Sequence, residues 1–263
     1  MVNFKESWSN LFKNLGLVIP PLIKIVIFLI FFIIAFIIAF AGVIGVVGLQ
    51  DLASSPLSVL KSVILPLLII IGVIGFLFAL FVGTILDTLL FSFAREVAKG
   101  KKPQYRKWRE FLKQSYWRFI GYKVMSAIIL LLVAIVFVAL FILAYFLTNS
   151  SPLWAKVLIF AILIILAIIA LIYLILGFLF APTILFLKKL SILDTIRESF
   201  SFLRSRTGLV VFAFLILIGV SIGASIILGL IPIIGGILSF IAGLFLSAWG
   251  TLYLFRVFLS KRL

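Results

Sequence analysis

Six long apolar runs constrain the fold of this chain more than any other feature. A helix that crosses a bilayer needs about 20 predominantly apolar residues, and such runs lie at 19–47, 63–86, 121–147, 157–187, 209–230 and 237–255. Because 66% of the 263 residues are hydrophobic and only 11% are charged, the chain has too little polar surface to fold in water. The sequence therefore predicts an all-α, polytopic membrane protein, with six transmembrane helices in one membrane domain over residues 1–263.

The distribution of basic residues predicts the orientation of these helices. With the N-terminus inside, the external segments are 51–61, 148–156 and 231–236, and they contain only Lys61 and Lys156. All the other Lys and Arg residues lie on the inner side or at the inner ends of the helices, as the positive-inside rule requires. We therefore expect both termini to be cytoplasmic. The net charge of +16 is mainly a signal of topology, and we expect no nucleic-acid partner.

Three charged residues lie nearest to the apolar runs. Lys24 and Lys123 extend furthest into a span, where their long stems can carry the ammonium group to the interface. Asp87 lies at the inner end of the second span, and we expect it to pair with Arg95 or with a neighbouring lysine as a structural cap on the bundle. None of the acidic residues lies near the middle of a span, which argues against ion-coupled transport.

The segments before the first, third and fifth spans have the spacing of amphipathic helices. Apolar residues recur at helical intervals in each segment; the stripes are Phe4, Trp8, Leu11, Phe12 and Leu15, then Tyr105, Trp108, Leu112, Tyr116 and Phe119, then Ile192, Leu193, Ile196, Phe200 and Leu203. Charged and polar residues occupy the intervening positions. We expect three interfacial helices on the cytoplasmic side, each preceding a pair of spans.

Two of these segments also align in sequence. Lys5-Glu6-Ser7-Trp8-Ser9 matches Arg197-Glu198-Ser199-Phe200-Ser201, and Gly16-Leu17-Val18 matches Gly208-Leu209-Val210 at the same offset. The middle segment, which ends at Gly121, shares the pattern but needs a gap. The sequence thus predicts a threefold repeat of an interfacial helix and a helix pair, with units of about 1–100, 101–190 and 191–263.

The element Arg197-Glu198-Ser199-Phe200, followed by Leu203 and a span, resembles short segments in a family of six-span prokaryotic membrane proteins. That family is the one grouped near the glycerophosphoryl diester phosphodiesterase membrane domain. The resemblance implies a six-span fold and the cell membrane of a prokaryote. It implies no hydrolase activity, since the family's catalytic barrel is a separate domain and is not present here. The usage of Ile, Lys and Arg hints at a thermophilic source.

The residue inventory argues against an enzyme. The chain contains no Cys and no His, which removes the thiolate nucleophile and the commonest general base and metal ligand. It also contains no phosphate-binding loop, zinc-ligand spacing or nucleophile elbow. We therefore expect no catalytic residues, no bound metal and no cofactor.

Small and polar residues form stripes in several spans. Ser239, Gly243, Ser247 and Thr251 are spaced every fourth position in the sixth span, and Gly219 and Gly223 lie in the fifth. Such stripes usually allow helix backbones to pack closely, so we expect the second, fifth and sixth spans to lie inside the bundle and the fourth to face lipid. The alternative is a transporter or channel whose polar path is lined by Ser221, Ser225, Ser247 and Thr251.

The segment from Arg95 to Arg118 is rich in basic residues and carries interfacial aromatics. Such clusters attract anionic lipid, so our preferred hypothesis is the binding or handling of an anionic lipid or other amphiphile at the cytoplasmic leaflet. The candidate head-group ligands are Lys101, Lys102, Arg106, Lys107 and Arg109. A third hypothesis is a scaffold or accessory subunit that works beside a protein partner in the membrane.

Overall fold

The protein is mostly helical over the residues that the structure, a computed structural model, describes: 2–54, 65–149, 151–188, 190–229 and 235–260. The helices are α1 (Val2–Lys13), α2 (Ile19–Ser54), α3 (Leu65–Phe78), α4 (Thr84–Ala98), α5 (Trp108–Leu147), α6 (Leu153–Leu179), α7 (Ala181–Leu187), α8 (Ile192–Ser205), α9 (Thr207–Gly229) and α10 (Gly235–Leu259). Short 3₁₀ turns precede α2 and α5, and the π-helical turn Ala79–Gly83 joins α3 to α4. Lys61 and most of the predicted turn at 231–236 lie outside the described residues.

Six helical stretches are long and apolar enough to cross a membrane. They are Leu15–Ala39, Leu65–Ala98, Tyr105–Leu147, Leu153–Leu187, Thr207–Gly229 and Leu238–Leu259, and we number them as the first to sixth spans. They coincide with the six predicted runs, so the prediction of a polytopic, all-α membrane protein is confirmed. The second, third and fourth stretches extend well beyond the length that a bilayer requires, and these extensions form much of the interior.

A continuous hydrophobic core lies at one end of the helices. Leu11 of α1, Phe180 between α6 and α7, and Trp249 and Phe255 of α10 are almost completely buried there. α4 is central, because it contacts α2, α5, α7 and α10. We call this region the packed end; it consists of α1, α4, α7, α8 and the adjoining ends of α5, α6, α9 and α10.

Away from the packed end the helices run as apolar arms, which we define as residues 22–39, 65–77, 128–147, 153–175 and 212–229. α2 pairs with α3, α5 with α6, and α9 with α10. The most apolar stretches of the first, second and fourth spans contain no buried residue, whereas half of that stretch in the sixth span is buried. The sixth span therefore lies inside and the fourth is exposed, as predicted. The apolar stretch of the second span and most of the fifth are exposed, contrary to the prediction, because each packs on few neighbours.

The three predicted interfacial segments differ in form. α1 and α8 are separate helices. α8 is capped by Ser191, whose hydroxyl accepts a hydrogen bond from the backbone N–H of Asp194 at 3.1 Å. The middle segment is not a separate helix, because α5 continues from Trp108 to Leu147 without a break. It is set off from α4 by Gly100, whose φ of 75° ends the preceding helix.

Candidate anion-binding site

A cavity of about 640 Å³ at the packed end is lined by basic side chains from three elements. Arg95 and Lys99 come from the end of α4, Arg118 from α5, and Lys188 from the residue that follows α7. The remaining lining residues are polar or apolar: Gln114, Ser115, Leu185, Phe186 and Leu187. None of the described residues that line this cavity is a carboxylate, so its lining carries a net positive charge.

The two arginines are held in place by the end of α7. Arg95 donates from Nη1 to the carbonyl oxygen of Phe186 at 3.1 Å, and Arg118 donates from Nη2 to the carbonyl oxygens of Lys188, at 3.4 Å, and Leu190. Carbonyl groups at the end of a helix lack intrahelical partners and favour a nearby cation. Since a guanidinium carries five N–H donors, each arginine is oriented by one nitrogen and keeps other donors for a ligand.

The cations of this cavity are unequally neutralised. Lys188 forms an ion pair with Glu198 of α8, whereas Arg95, Lys99 and Arg118 form no ion pair with any carboxylate of the described residues. Burial, together with the positive charges of Arg95 and Lys101, lowers the pKa of Lys99 below its ordinary value. Three cations thus share one cavity without a counter-charge, an arrangement that favours an anionic ligand.

The predicted head-group residues lie beside this cavity along the chain but do not line it. All five are exposed. The segment between α4 and α5 carries Lys101, Lys102, Arg106 and Lys107, and the start of α5 carries Arg109. The guanidinium of Arg109 lies 5.2 Å from the ring centroid of Trp108. Their role in lipid binding stays a prediction.

Sequence reasoning did not select the residues that line the cavity. Arg95, Lys99 and Arg118 belong to the basic segment 95–118, but its composition does not distinguish them from the five head-group candidates beside them. Lys188 lies outside that segment, some 70 residues further along the chain than Arg118, so its position in the sequence does not indicate that it lines the same cavity. Two features together separate the residues that line the cavity from the exposed head-group candidates: the helical spacing of the side chains and the position of α7. Only the position of α7 requires knowledge of the tertiary structure.

A second charged cluster joins the first three spans. The two carboxylate oxygens of Asp87 accept hydrogen bonds from Lys24 Nζ at 2.8 Å and from Lys123 Nζ at 2.7 Å. The predicted pairing of Asp87 with a lysine is therefore correct, whereas the alternative partner, Arg95, bonds instead to Phe186. The ammonium group of Lys123 also lies 5.0 Å from the ring centroid of Phe119. This cluster ties three helices together at the level where the packed end begins.

The residues of the predicted polar path lie at the surface of the α9–α10 pair. Ser221, Ser225 and Ser247 are exposed and line a groove of about 280 Å³, whereas Thr251 is buried outside it. The hydroxyls of Ser221 and Ser225 donate to carbonyls one turn earlier in α9, Leu217 at 2.8 Å and Ser221 at 2.9 Å. Their hydrogen-bonding capacity is thus partly used within their own helix.

The small-residue stripes do not pack as expected within the described part of the chain. A Cβ atom added at Gly219, Gly223 or Gly243 would meet no atom within 4 Å outside its own helix backbone. Close approaches occur instead at Gly177, against the ring of Phe200. The interpretation of the stripes as helix-packing surfaces is therefore wrong for these three glycines.

The fold and the cavity define a class: a polytopic α-helical membrane protein with a cationic cavity at one end. Comparison of the chain with family models, curated proteins and solved structures found no match of any of the three kinds. The resemblance to the glycerophosphoryl diester phosphodiesterase membrane-domain family accordingly stays a prediction.

Proposed function

We propose that this protein binds the anionic head group of a membrane lipid, or of another anionic amphiphile, in the cavity at the packed end. The observation that carries the proposal is the lining itself: four basic side chains from three elements, and no carboxylate among the lining residues. Arginine forks match phosphate and carboxylate geometry, and basic residues near the surface of an anionic membrane each contribute about 1 kcal/mol of attraction.

The remainder of the cavity wall suits the rest of an amphiphile. Leu185, Phe186 and Leu187 supply apolar lining next to the cations, and the apolar arms expose large hydrophobic side chains along their length. A head group in the cavity would leave its acyl chains against such a surface.

The proposal includes a membrane orientation. The packed end would face the cytoplasmic leaflet of a prokaryotic cell membrane with both termini inside, because nearly all the basic residues lie at this end of the spans. α1 and α8 would lie at the interface, each ahead of a helix pair, as units of a threefold repeat.

The test is native mass spectrometry of protein purified in mild detergent and titrated with phosphatidylglycerol or phosphatidylcholine. We expect tighter binding of the anionic lipid, and we expect Lys99→Gln to weaken it about fivefold, the equivalent of about 1 kcal/mol. The matched control is Lys102→Gln, an exposed lysine outside the cavity, for which we expect less than a twofold change. Equal affinity for the two lipids, or an equal loss in the two variants, would contradict the cavity as the site.

A further inference from the structure

A four-residue motif recurs three times in the packed end. Each copy places a basic residue, an acid or its amide, a serine and an aromatic residue in the same order. The copies are Lys5-Glu6-Ser7-Trp8, Lys113-Gln114-Ser115-Tyr116 and Arg197-Glu198-Ser199-Phe200. The residue four positions after each serine is buried in the core: Leu11, Phe119 and Leu203. The three copies therefore occupy comparable helical positions against the core.

In two copies the glutamate neutralises a base at the end of an even-numbered span. Glu6 of α1 pairs with Arg256 near the end of α10, and Glu198 of α8 pairs with Lys188 directly after α7. α1 packs on α10 and α8 packs on α7. In both cases the motif helix thus brings its own counter-charge to the span on which it packs.

The middle copy lacks this counter-charge. Its acid position is occupied by Gln114. α5 packs on the fourth span and also on the second, which ends in α4 with Arg95 and Lys99. Gln114, Arg95 and Lys99 line one cavity. A carboxamide is uncharged, so it cannot neutralise these cations, and the difference between Glu and Gln at one position accounts for the open positive site.

We infer that the middle repeat binds a phosphate-type oxyanion, whose charge takes the place of the carboxylate present in the other two copies. This inference rests on the proposed function and specifies its ligand. The remaining guanidinium donors of Arg95 and Arg118 match the geometry of a phosphate, and the amide of Gln114 adds donors that a glutamate would lack. Glutamate at this position would compete with the ligand for the same cations.

The decisive substitution is Gln114→Glu, which is nearly isosteric and affects an exposed side chain. Its matched control is Gln104→Glu, the same exchange at an exposed position of the α4–α5 connection outside the cavity. The readout is the apparent Kd for phosphatidylglycerol by native mass spectrometry. We expect Gln114→Glu to weaken binding at least tenfold and Gln104→Glu less than twofold.

The remaining outcomes separate this inference from the proposed function. Unchanged binding in Gln114→Glu, or an equal loss in both glutamate variants, would overturn the inference. If Gln114→Glu leaves binding unchanged but Lys99→Gln still weakens it, the cavity remains the lipid site. If Lys99→Gln has no effect either, both proposals fail. Competition with inorganic phosphate identifies the source of the oxyanion: displacement of the lipid by millimolar phosphate would indicate a soluble ligand, and retention would indicate a lipid head group.

Discussion

The packed end and the apolar arms both contain many Phe, Leu and Ile residues but bury them very differently. At the packed end, rings contact one another closely, as Trp8 does with Trp249 at 5.1 Å between centroids, and polar groups such as Ser199 are buried with a partner, here the carbonyl oxygen of Gly177 at 2.6 Å. In the arms, large apolar side chains such as Phe76 are more than half exposed.

This difference shows which part of the chain depends on the bilayer. In a bilayer, apolar side chains gain little free energy by moving from contact with lipid into a helix–helix interface. The arms therefore need only be apolar and helical. The packed end also arranges the charged and polar residues, which must be paired wherever water is excluded. The candidate site therefore lies at the packed end, where side-chain positions are determined by many neighbours.

The largest expected effect is on the free energy of unfolding, when a phenylalanine is replaced by alanine at the packed end and, for comparison, in an arm. Phe180→Ala removes a buried ring that contacts Phe202 and Phe258, and we expect it to lower the free energy of unfolding by about 3–5 kcal/mol. Phe76→Ala, at an exposed position of an arm, should cost well under about 1 kcal/mol. Denaturation in mixed micelles measures both, and similar losses would contradict the distinction between the regions.

Asp87→Asn tests whether the charged cluster ties the first three spans together. The substitution leaves Lys24 and Lys123 without a carboxylate, and removal of one partner from a buried pair is costly. Because these side chains remain 20–35% exposed, we expect a loss of about 1–3 kcal/mol by the same measurement. Glu110→Gln, at an exposed acid of α5, is the control. Equal stability of the two variants would show that the cluster is not a structural tie.

Two glycine substitutions sharpen the comparison of packing. In Gly177→Ala the new methyl group meets the ring of Phe200, which is held between Tyr173 and Phe178; we expect a loss of about 1–3 kcal/mol from overpacking. In Gly243→Ala the methyl group meets open space, so we expect no loss and a small gain in helix propensity. Destabilisation by Gly243→Ala would restore the packing interpretation of the small-residue stripe.

The smallest expected effect is the pH dependence of lipid affinity. The pKa of Lys99 is lowered by burial and by Arg95 and Lys101, so this lysine loses its proton at a lower pH than an ordinary lysine. Lipid affinity should therefore decrease as the pH rises toward 10, whereas Lys99→Arg should keep it, since arginine stays charged. Lipid titrations at pH 7 and at pH 10 measure this, and identical pH dependence in both proteins would remove Lys99 from the site.

Much of the fold could be predicted from the sequence, because span length and hydropathy are local properties. All six spans follow from apolar runs, and the lysine partner of Asp87 follows from the scarcity of charge near the spans. The sequence could not show that the second and third spans continue beyond their apolar runs into a common core. Hydropathy detects the part of a helix in lipid, whereas residues such as Thr84 and Thr88 are polar and yet buried at the packed end.

The site was predictable only as a region. The basic composition of 95–118 indicated a cationic surface, but charge counting favoured the exposed lysines over Arg95 and Arg118, which α7 brings together. The prediction that helices pack closely at Gly219 and Gly243 was wrong for a related reason. Small residues permit close packing, but their spacing does not establish that the neighbouring helix approaches closely at those positions.

The central claim is that an anionic head group occupies the cavity between α4, α5 and α7. The most direct test is photo-crosslinking with a phosphatidylglycerol analogue that carries the reactive group on its head group, followed by mapping of the labelled peptides. We predict labelling of peptides that contain Lys99, Gln114 or residues 185–188, with protection by excess phosphatidylglycerol but not by phosphatidylcholine. Labelling confined to the exposed segment 101–109, or spread along the arms, would contradict the account.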